Sequence, residues 1–189
     1  MDRNSYKPAV FLDRDGVLTE EKGYITERKD LTIFPYARSC VHRIKEMGYL
    51  AIVITNQAAV GKGLLMEQSL CEMNSLLQRE TGVDAIYYCP HHPQAFLSGY
   101  RLRCNCRKPN IGLYEQALAD FRITLNGSYM IGDRASDILA GRNLGIRTIL
   151  LESGYGKRNL EFQIEPDYYA ADLCFACDLI SEISNREEV

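Results

Sequence analysis

A chain of 189 residues with 46% hydrophobic and 25% charged residues has the size and balance of a folded globular protein. Its net charge of −3 excludes a global basic field for nucleic acid or an anionic membrane. An anionic ligand must then be met by local cations, backbone N–H groups or a metal.

The first residues, "MDRNSYKPAV", hold no signal-peptide core, and no apolar run is long enough to span a bilayer, so a cytosolic protein is expected. "PAVFLD" reads as a buried strand ending at Asp13, and "YARSCVHRIKEMG" as a helix closed by Gly48. "YLAIVITN" is a second buried strand ending near Thr55. "MEQSLCEMNSLLQRETG" is a helix closed by Gly82, followed by the strand "DAIYYC". "GLYEQALADFRI" reads as a helix and "GSYMIGD" as a strand ending at Asp133. "ASDILAGRNLG" is a short helix, "IRTILLES" a fifth strand, and the C-terminal segment a last helix. "GKRNLEFQIEPD" between them reads as an exposed loop. Continuous apolar strands alternating with helices predict an α/β fold: a doubly wound parallel sheet in one domain over 1–189. No gap between motifs has room for a large cap domain.

Seven cysteines in a cytosolic protein argue for reduced thiols rather than disulfides. Cys40 and Cys71 sit in helical patterns as small core residues. Cys174 and Cys177 form a C-x-x-C, but Leu173, Ala176, Cys177 and Ile180 follow helical spacing, so this pair too is read as core-facing. His42 is read as a helix surface residue. Cys89, His91, Cys104 and Cys106 are different. Three thiols and an imidazole at close spacing, in a Pro- and Gly-containing loop with little core of its own, suit tetrahedral structural zinc at about residues 89–106. His92, adjacent to a ligand, is expected to point elsewhere; the alternative for the cysteines is a set of unpaired loop thiols.

Asp13, Thr55 and Asp133 fall at the carboxyl ends of predicted strands, the edge at which open α/β sheets bind ligands. Lys108, just before a helix, can reach the same rim. The carboxylate of Asp13 can attack phosphorus to form an aspartyl-phosphate. Because both partners are anionic, a hard cation such as Mg²⁺ is needed, with Asp13 and Asp133 as ligands. Backbone N–H groups at Gly16 and the turn before it, the Thr55 hydroxyl and the Asn56 N–H are candidates to cradle phosphate oxygens. Lys108 would offset developing charge, and Asp15 would protonate the leaving oxygen and later deprotonate water.

"FLDRDG", "VITN", "CRKP" and "MIGDRASD" together resemble the four motifs of the haloacid dehalogenase-like (HAD) phosphatases, over roughly residues 8–150. The resemblance implies Asp13 as nucleophile and Asp15 as general acid/base. It implies Mg²⁺ on Asp13, Asp133 and the Asp15 carbonyl, and phosphate contacts from Thr55, Asn56 and Lys108. Val17 stands where many members have Thr. Asp137 and Arg134 lie behind the reacting groups; Asp137 either orients Lys108 or a metal-bound water, or is an exposed first-turn acid. Within the zinc-loop members, "CPHHPQAFLSGYRLRCNCRKPNIG" and "EKGYI" are similar to the heptose bisphosphate phosphatase group, which serves nucleotide-sugar synthesis for cell-surface glycans. By that resemblance Arg107 meets the distal sugar phosphate. Lys62 touches substrate or is solvated. The remaining alternatives are a histidinol-phosphate phosphatase and, outside enzymes, a zinc-binding interaction module. The first reading implies a small sugar phosphate as the only partner and a monomer, with no nucleic acid and no membrane.

Overall fold

The computed structural model describes residues 5–155 and 164–187. Six parallel strands form one sheet in the order β3-β2-β1-β4-β5-β6. They are β1 (Lys7–Leu12), β2 (Leu50–Asn56), β3 (Ala85–Cys89), β4 (Ile123–Gly132), β5 (Arg147–Leu151) and β6 (Tyr168–Ala170). The helices are α1 (Ala37–Glu46), α2 (Ala58–Gly61), α3 (Glu67–Thr81), α4 (Gly112–Asp120), α5 (Ala135–Leu144) and α6 (Leu173–Glu187).

The continuous apolar strands are explained by burial on both faces. In β1, Val10 and Leu12 pack toward α1 and α6 in a core that holds Cys40, Val41, Ile44, Leu173, Cys177 and Ile180. Ala9 and Phe11 point the other way, onto Leu113, Tyr114 and Ala117 of α4. Alternate side chains along one strand thus feed two separate cores. The buried residues of α1, Ala37, Cys40, Val41 and Ile44, keep the spacing of one helix face. α3 ends where Gly82 takes φ +80, and its N–H caps the Gln78 carbonyl.

Several boundaries differ from the sequence reading. The helix expected to run through Ile123 stops at Asp120, and β4 begins at Ile123 rather than near Gly127. The pattern misled because β4 is interrupted. Its register against β1 shifts between Pro8 and Val10, and Gly127 turns at φ +77. Ser128 fills the irregularity, accepting from Ala9 N–H at 2.9 Å and donating to the Thr124 carbonyl at 2.6 Å. The short α2 and the three-residue edge strand β6 carry too few residues for periodicity to register. Cys71 is half-buried rather than core, its Sγ 3.3 Å from the Tyr88 hydroxyl. Residues 156–163 of the expected loop lie outside the described residues. Among the described residues no helix is long and apolar enough to cross a membrane.

The topology fixes the site. From β1 the chain moves outward to β2 and β3, then returns to β4 on the other side of β1. The direction reverses between β1 and β4, and ligand crevices in open sheets lie at such a reversal. Leu12 pairs with Ile131 of β4 and with Val53 of β2. Asp13, Asp133 and Thr55 therefore emerge side by side.

Candidate active site and zinc loop

Asp13, Asp133 and Asp137 are all buried, and each offers an oxygen within 4.8 Å of the others. Asp137 is thus part of the cluster rather than an exposed first-turn acid. Its carboxylate also accepts from the Arg134 N–H at 3.0 Å, which closes the first turn of α5. Lys108 is buried against this cluster. Its Nζ lies 3.0 Å from Asp13 Oδ1 and 2.6 Å from Asp137 Oδ1, and donates to the Ile54 carbonyl at 2.6 Å. Burial alone would lower the lysine pKa; the charges of Asp13 and Asp137 outweigh it and raise the value.

One cation among three carboxylates leaves the cluster net negative. Burial, then the charges of Asp13 and Asp137, push the pKa of Asp133 up to about 8, against the opposing Tyr155 N–H bond of 2.8 Å. Burial and Asp13 likewise raise Asp137 to about 6, although Lys108 opposes them. A buried, all-oxygen, anionic donor set fits a hard divalent cation such as Mg²⁺. Backbone closes tightly on it: a Cβ on Gly16 or Gly154 would collide with the Asp133 carboxylate.

Asp15 lies apart from this cluster. Its carboxylate receives Arg14 Nε and Nη2 at 3.0 Å each, Gln57 Nε2 at 2.9 Å and Thr19 Oγ1 at 2.9 Å. Burial would raise its pKa; Arg14's charge, then the hydrogen bonds from Arg14, Gln57 and Thr19, override that and hold it below the usual carboxylate range. Arg14 is only 1% exposed and is further tied to Gln57 Oε1 at 2.9 Å and Asn74 Oδ1 at 3.2 Å. Sequence reasoning passed over Arg14, Gln57 and Asn74. An arginine between two aspartates reads as a surface residue, and only the fold shows that it is enclosed.

Thr55 lines the cavity, with its Oγ1 accepting from Gln57 Nε2 at 2.9 Å. The Asn56 side chain bonds both ways with the Lys108 backbone, donating at 3.2 Å and accepting at 3.0 Å, and so anchors that loop to β2. Gly16 does not present its N–H to the cavity as expected. That group donates to the Thr19 carbonyl at 2.7 Å, because the turn after β1 folds back on itself. What Gly16 supplies instead is room, at φ +83, for the Asp133 carboxylate. Arg134 pairs with Glu21 at 2.9 Å and stacks over the Tyr155 ring at 4.1 Å.

Asp13, Asp15, Thr55, Asn56, Gln57, Lys108 and Arg134 line a cavity of about 180 Å³, which also takes in Tyr24, His92 and Arg107. Arg107 Nη1 donates to the His91 carbonyl at 3.2 Å. His91 itself faces away, into the cysteine cluster. Cys89, Cys104 and Cys106 have Sγ–Sγ separations of 3.0 to 3.5 Å, and His91 Nδ1 lies 3.2 Å from Cys106 Sγ. Sulfurs around tetrahedral zinc, at about 2.3 Å from the metal, stand about 3.8 Å apart, so three thiols and one imidazole here fit that ion. The second thiol group is of another kind. Cys40 and Cys174 have sulfurs 3.1 Å apart between α1 and α6; Cys40 and Cys177 are in the apolar core, whereas Cys174 is half-buried at its edge rather than core-facing as expected.

A family model described as HAD-hydrolase-like matches residues 105–176. The D-glycero-beta-D-manno-heptose-1,7-bisphosphate 7-phosphatase of Haemophilus ducreyi is 37% identical, covering 78% of this chain and 85% of its own. The D-glycero-D-manno-heptose-1,7-bisphosphate 7-phosphatase of Chlorobaculum tepidum is 33% identical, covering 87% of this chain and 89% of its own. Among solved structures, D,D-heptose 1,7-bisphosphate phosphatase from B. bronchiseptica, in complex with magnesium and phosphate, superposes with a TM-score of 0.82 at 24% identity. It covers 93% of this chain and 99% of that one, and shows the same fold.

Proposed function

This chain belongs to the heptose-1,7-bisphosphate 7-phosphatase family of HAD-like hydrolases, and from that premise we propose that it removes the 7-phosphate of D-glycero-D-manno-heptose 1,7-bisphosphate. One observation carries the chemistry: Asp13, Lys108 and Asp133, from three distant segments, meet at the reversal point of the sheet.

In the proposed reaction an Asp13 oxygen attacks the 7-phosphorus. The bond from phosphorus to the sugar O7 breaks, and Asp15 gives its proton to that oxygen. Water then attacks the aspartyl-phosphate, Asp15 takes the water's proton, and the bond to Asp13 breaks to release inorganic phosphate. The lowered pKa keeps Asp15 ionised, the form the base step needs. For the acid step Asp15 takes up a proton from solvent, favoured because the phosphoryl dianion brought beside it disfavours a second negative charge. Arg14 and Gln57 aim that carboxylate, and Lys108 holds Asp13 in place while offsetting charge on the phosphoryl oxygens. Thr55 and the Asn56-anchored loop bound the phosphoryl pocket.

Asp13, Asp133 and Asp137 are the side chains that would hold Mg²⁺, which the donor chemistry supports and which accompanies the B. bronchiseptica enzyme. Bound there, the ion would screen the repulsion between carboxylate and phosphate and draw electron density from phosphorus. Cys89, His91, Cys104 and Cys106 would hold a structural Zn²⁺ that shapes the loop carrying Arg107. Arg107 would meet the distal phosphate. A guanidinium at the mouth suits a second anion and disfavours the cationic amine of histidinol phosphate.

The test is a magnesium-dependent phosphate-release panel. It compares both anomers of the heptose bisphosphate, the 7-monophosphate and histidinol phosphate. The bisphosphate is expected to have the highest kcat/KM; a preference for histidinol phosphate would overturn the substrate.

A further inference from the structure

Among the apolar side chains on the buried face of α3 stands one amide that helix packing alone does not call for. We propose that Asn74 is a positioning residue for the reaction: by holding Arg14 Nη1 it fixes the guanidinium fork that aims the Asp15 carboxyl at the leaving oxygen. The inference rests on the reading that Asp15 is the general acid. It extends the support of that group to a helix none of whose residues lines the cavity.

Leu70, Met73, Asn74, Leu77 and Thr81 are the buried residues of α3, at the spacing of one helix face. Position 74 lies in the middle of that stripe, where an apolar side chain would pack well. Asn74 is 7% exposed, and its Nδ2 has no partner among the described residues. A half-satisfied amide in such a place opposes folding. The other polar residue of the stripe, Thr81, satisfies its hydroxyl on the Leu77 carbonyl of its own helix at 2.7 Å. Asn74 instead reaches outward: its Oδ1 accepts from Arg14 Nη1 at 3.2 Å, a residue 60 positions away in the sequence.

A guanidinium is planar, so its contacts together fix one orientation. Arg14 Nε and Nη2 carry the two oxygens of Asp15 at 3.0 Å each. Nη2 also donates to Gln57 Oε1 at 2.9 Å, and Gln57 Nε2 donates to Asp15 Oδ2 at 2.9 Å. These three side chains close a ring that could tilt as a unit. Asn74 Oδ1 is the acceptor that meets Nη1 among the described residues, and it stands outside the ring. Gln57 belongs to the turn after β2 and Asn74 to α3, so the plane of the fork is set from two separate elements. α3 is itself held firmly: Leu70 and Met73 pack into one apolar cluster and Leu77 into another. An apolar residue at 74 would leave the Nη1 edge of a buried guanidinium unpaired and free the fork to tilt, carrying Asp15 with it.

The aim of Asp15 matters to one bond above all. When the Asp13 oxygen attacks phosphorus, the bond from phosphorus to the sugar oxygen breaks and that oxygen takes the Asp15 proton. A sugar alkoxide leaves poorly without the proton, whereas 4-nitrophenolate leaves without one. A loss confined to the alkyl ester is the mark of a misdirected acid; general damage to the site slows both esters alike.

The experiment uses the full-length protein with magnesium. It compares kcat/KM for 4-nitrophenyl phosphate and for the alkyl phosphate that the wild type hydrolyses best in the substrate panel. The proteins are wild type, Asn74→Leu, Asn74→Ala and Asn74→Asp. Asn74→Leu is expected to lower kcat/KM about tenfold for the alkyl ester, a part of the roughly 10²–10⁴-fold that general acid–base catalysis supplies, and by less than about twofold for the aryl ester. Asn74→Ala, which fits wherever asparagine does, carries the same expectation should leucine fail to pack. Asn74→Asp keeps an oxygen toward Nη1 and should recover part of the alkyl-to-aryl ratio. Both esters are assayed on one preparation, so the ratio is independent of any protein lost to unfolding. An unchanged ratio in Asn74→Leu and Asn74→Ala overturns this inference and leaves the phosphatase reading standing. A wild type that releases phosphate from neither ester overturns both.

Discussion

In magnesium-free buffer, Asp133→Asn should make this protein more stable at pH 8, although it removes a residue proposed for the reaction. Asp133 is fully buried, and its pKa is pushed from an ordinary 3.8 to about 8 by burial and by the charges of Asp13 and Asp137. Between those two values the folded protein holds a proton that the unfolded chain has released. Stability rises with pH only where the unfolded state binds more protons; here the folded state binds more, so stability falls as pH rises. Each pH unit in that window costs about 1.4 kcal/mol, so pH 6 to pH 8 costs roughly 3 kcal/mol. Asp137, raised to about 6, adds loss in the same direction mainly below pH 6, so the comparison belongs above it. The asparagine keeps an acceptor for Tyr155 N–H and carries no charge, so this contribution disappears. Urea denaturation at pH 6 and pH 8, without chelators so that the cysteine loop keeps the zinc proposed for it, measures the difference between the two slopes. For a chain of this size, 3 kcal/mol corresponds to about 6–12 °C in Tm. Added magnesium should reverse the order, stabilising the wild type and leaving the variant unmoved. The reasoning fails if the variant and the wild type lose equal stability from pH 6 to pH 8.

Three other changes test separate parts of the site. Asp13→Asn should lower kcat by at least about a thousandfold while circular dichroism stays that of the wild type; retained turnover would remove the covalent step. Arg14→Met leaves the half-buried Asp15 carboxylate without its charge partner and should cost about 2–3 kcal/mol in urea denaturation. A loss under 1 kcal/mol would mean that Arg14 contributes no structural support. Cys104→Ser should reduce bound zinc, measured by elemental analysis, and lower Tm, with a larger effect on KM than on kcat because it loosens the loop bearing Arg107. Full zinc content in that variant would argue against its being a ligand.

The legible parts of this molecule were those whose physics is local or repeated. Apolar runs such as Val10 to Leu12 and Ala51 to Ile54 could only be strands buried on both faces, and polar residues at their ends marked the ligand edge. The helix face of Ala37, Cys40, Val41 and Ile44 was legible for the same reason. What escaped depended on distant partners. Nothing near Arg14 in sequence announces Gln57 or Asn74, yet those residues let an arginine sit at 1% exposure. The destination of the Gly16 N–H depended on how the next three residues fold back. That His92 lines the cavity while His91 turns to the sulfurs follows from a loop whose path no periodicity describes.

The site's central difficulty is electrostatic, and the fold meets it with backbone geometry. Three buried carboxylates in one place repel, and a chain free to relax would separate them. Two are held because Asp13 and Asp133 end neighbouring strands whose register is fixed along their length, Leu12 opposite Ile131. The third, Asp137, is fixed by the first turn of α5 and by its bond to the Arg134 N–H. The backbone then closes around them at positions where no side chain fits. A Cβ on Gly16 or Gly154 would collide with Asp133, and one on Gly132 with Asp137. Any larger residue at these three positions would force the carboxylates apart and blunt the charge that recruits the cation. The strained arrangement is therefore carried by strand pairing in the sheet's interior. The cysteine loop lies outside this strand-held core, so it can vary without disturbing the reacting groups, which suits the role in substrate selection proposed for Arg107.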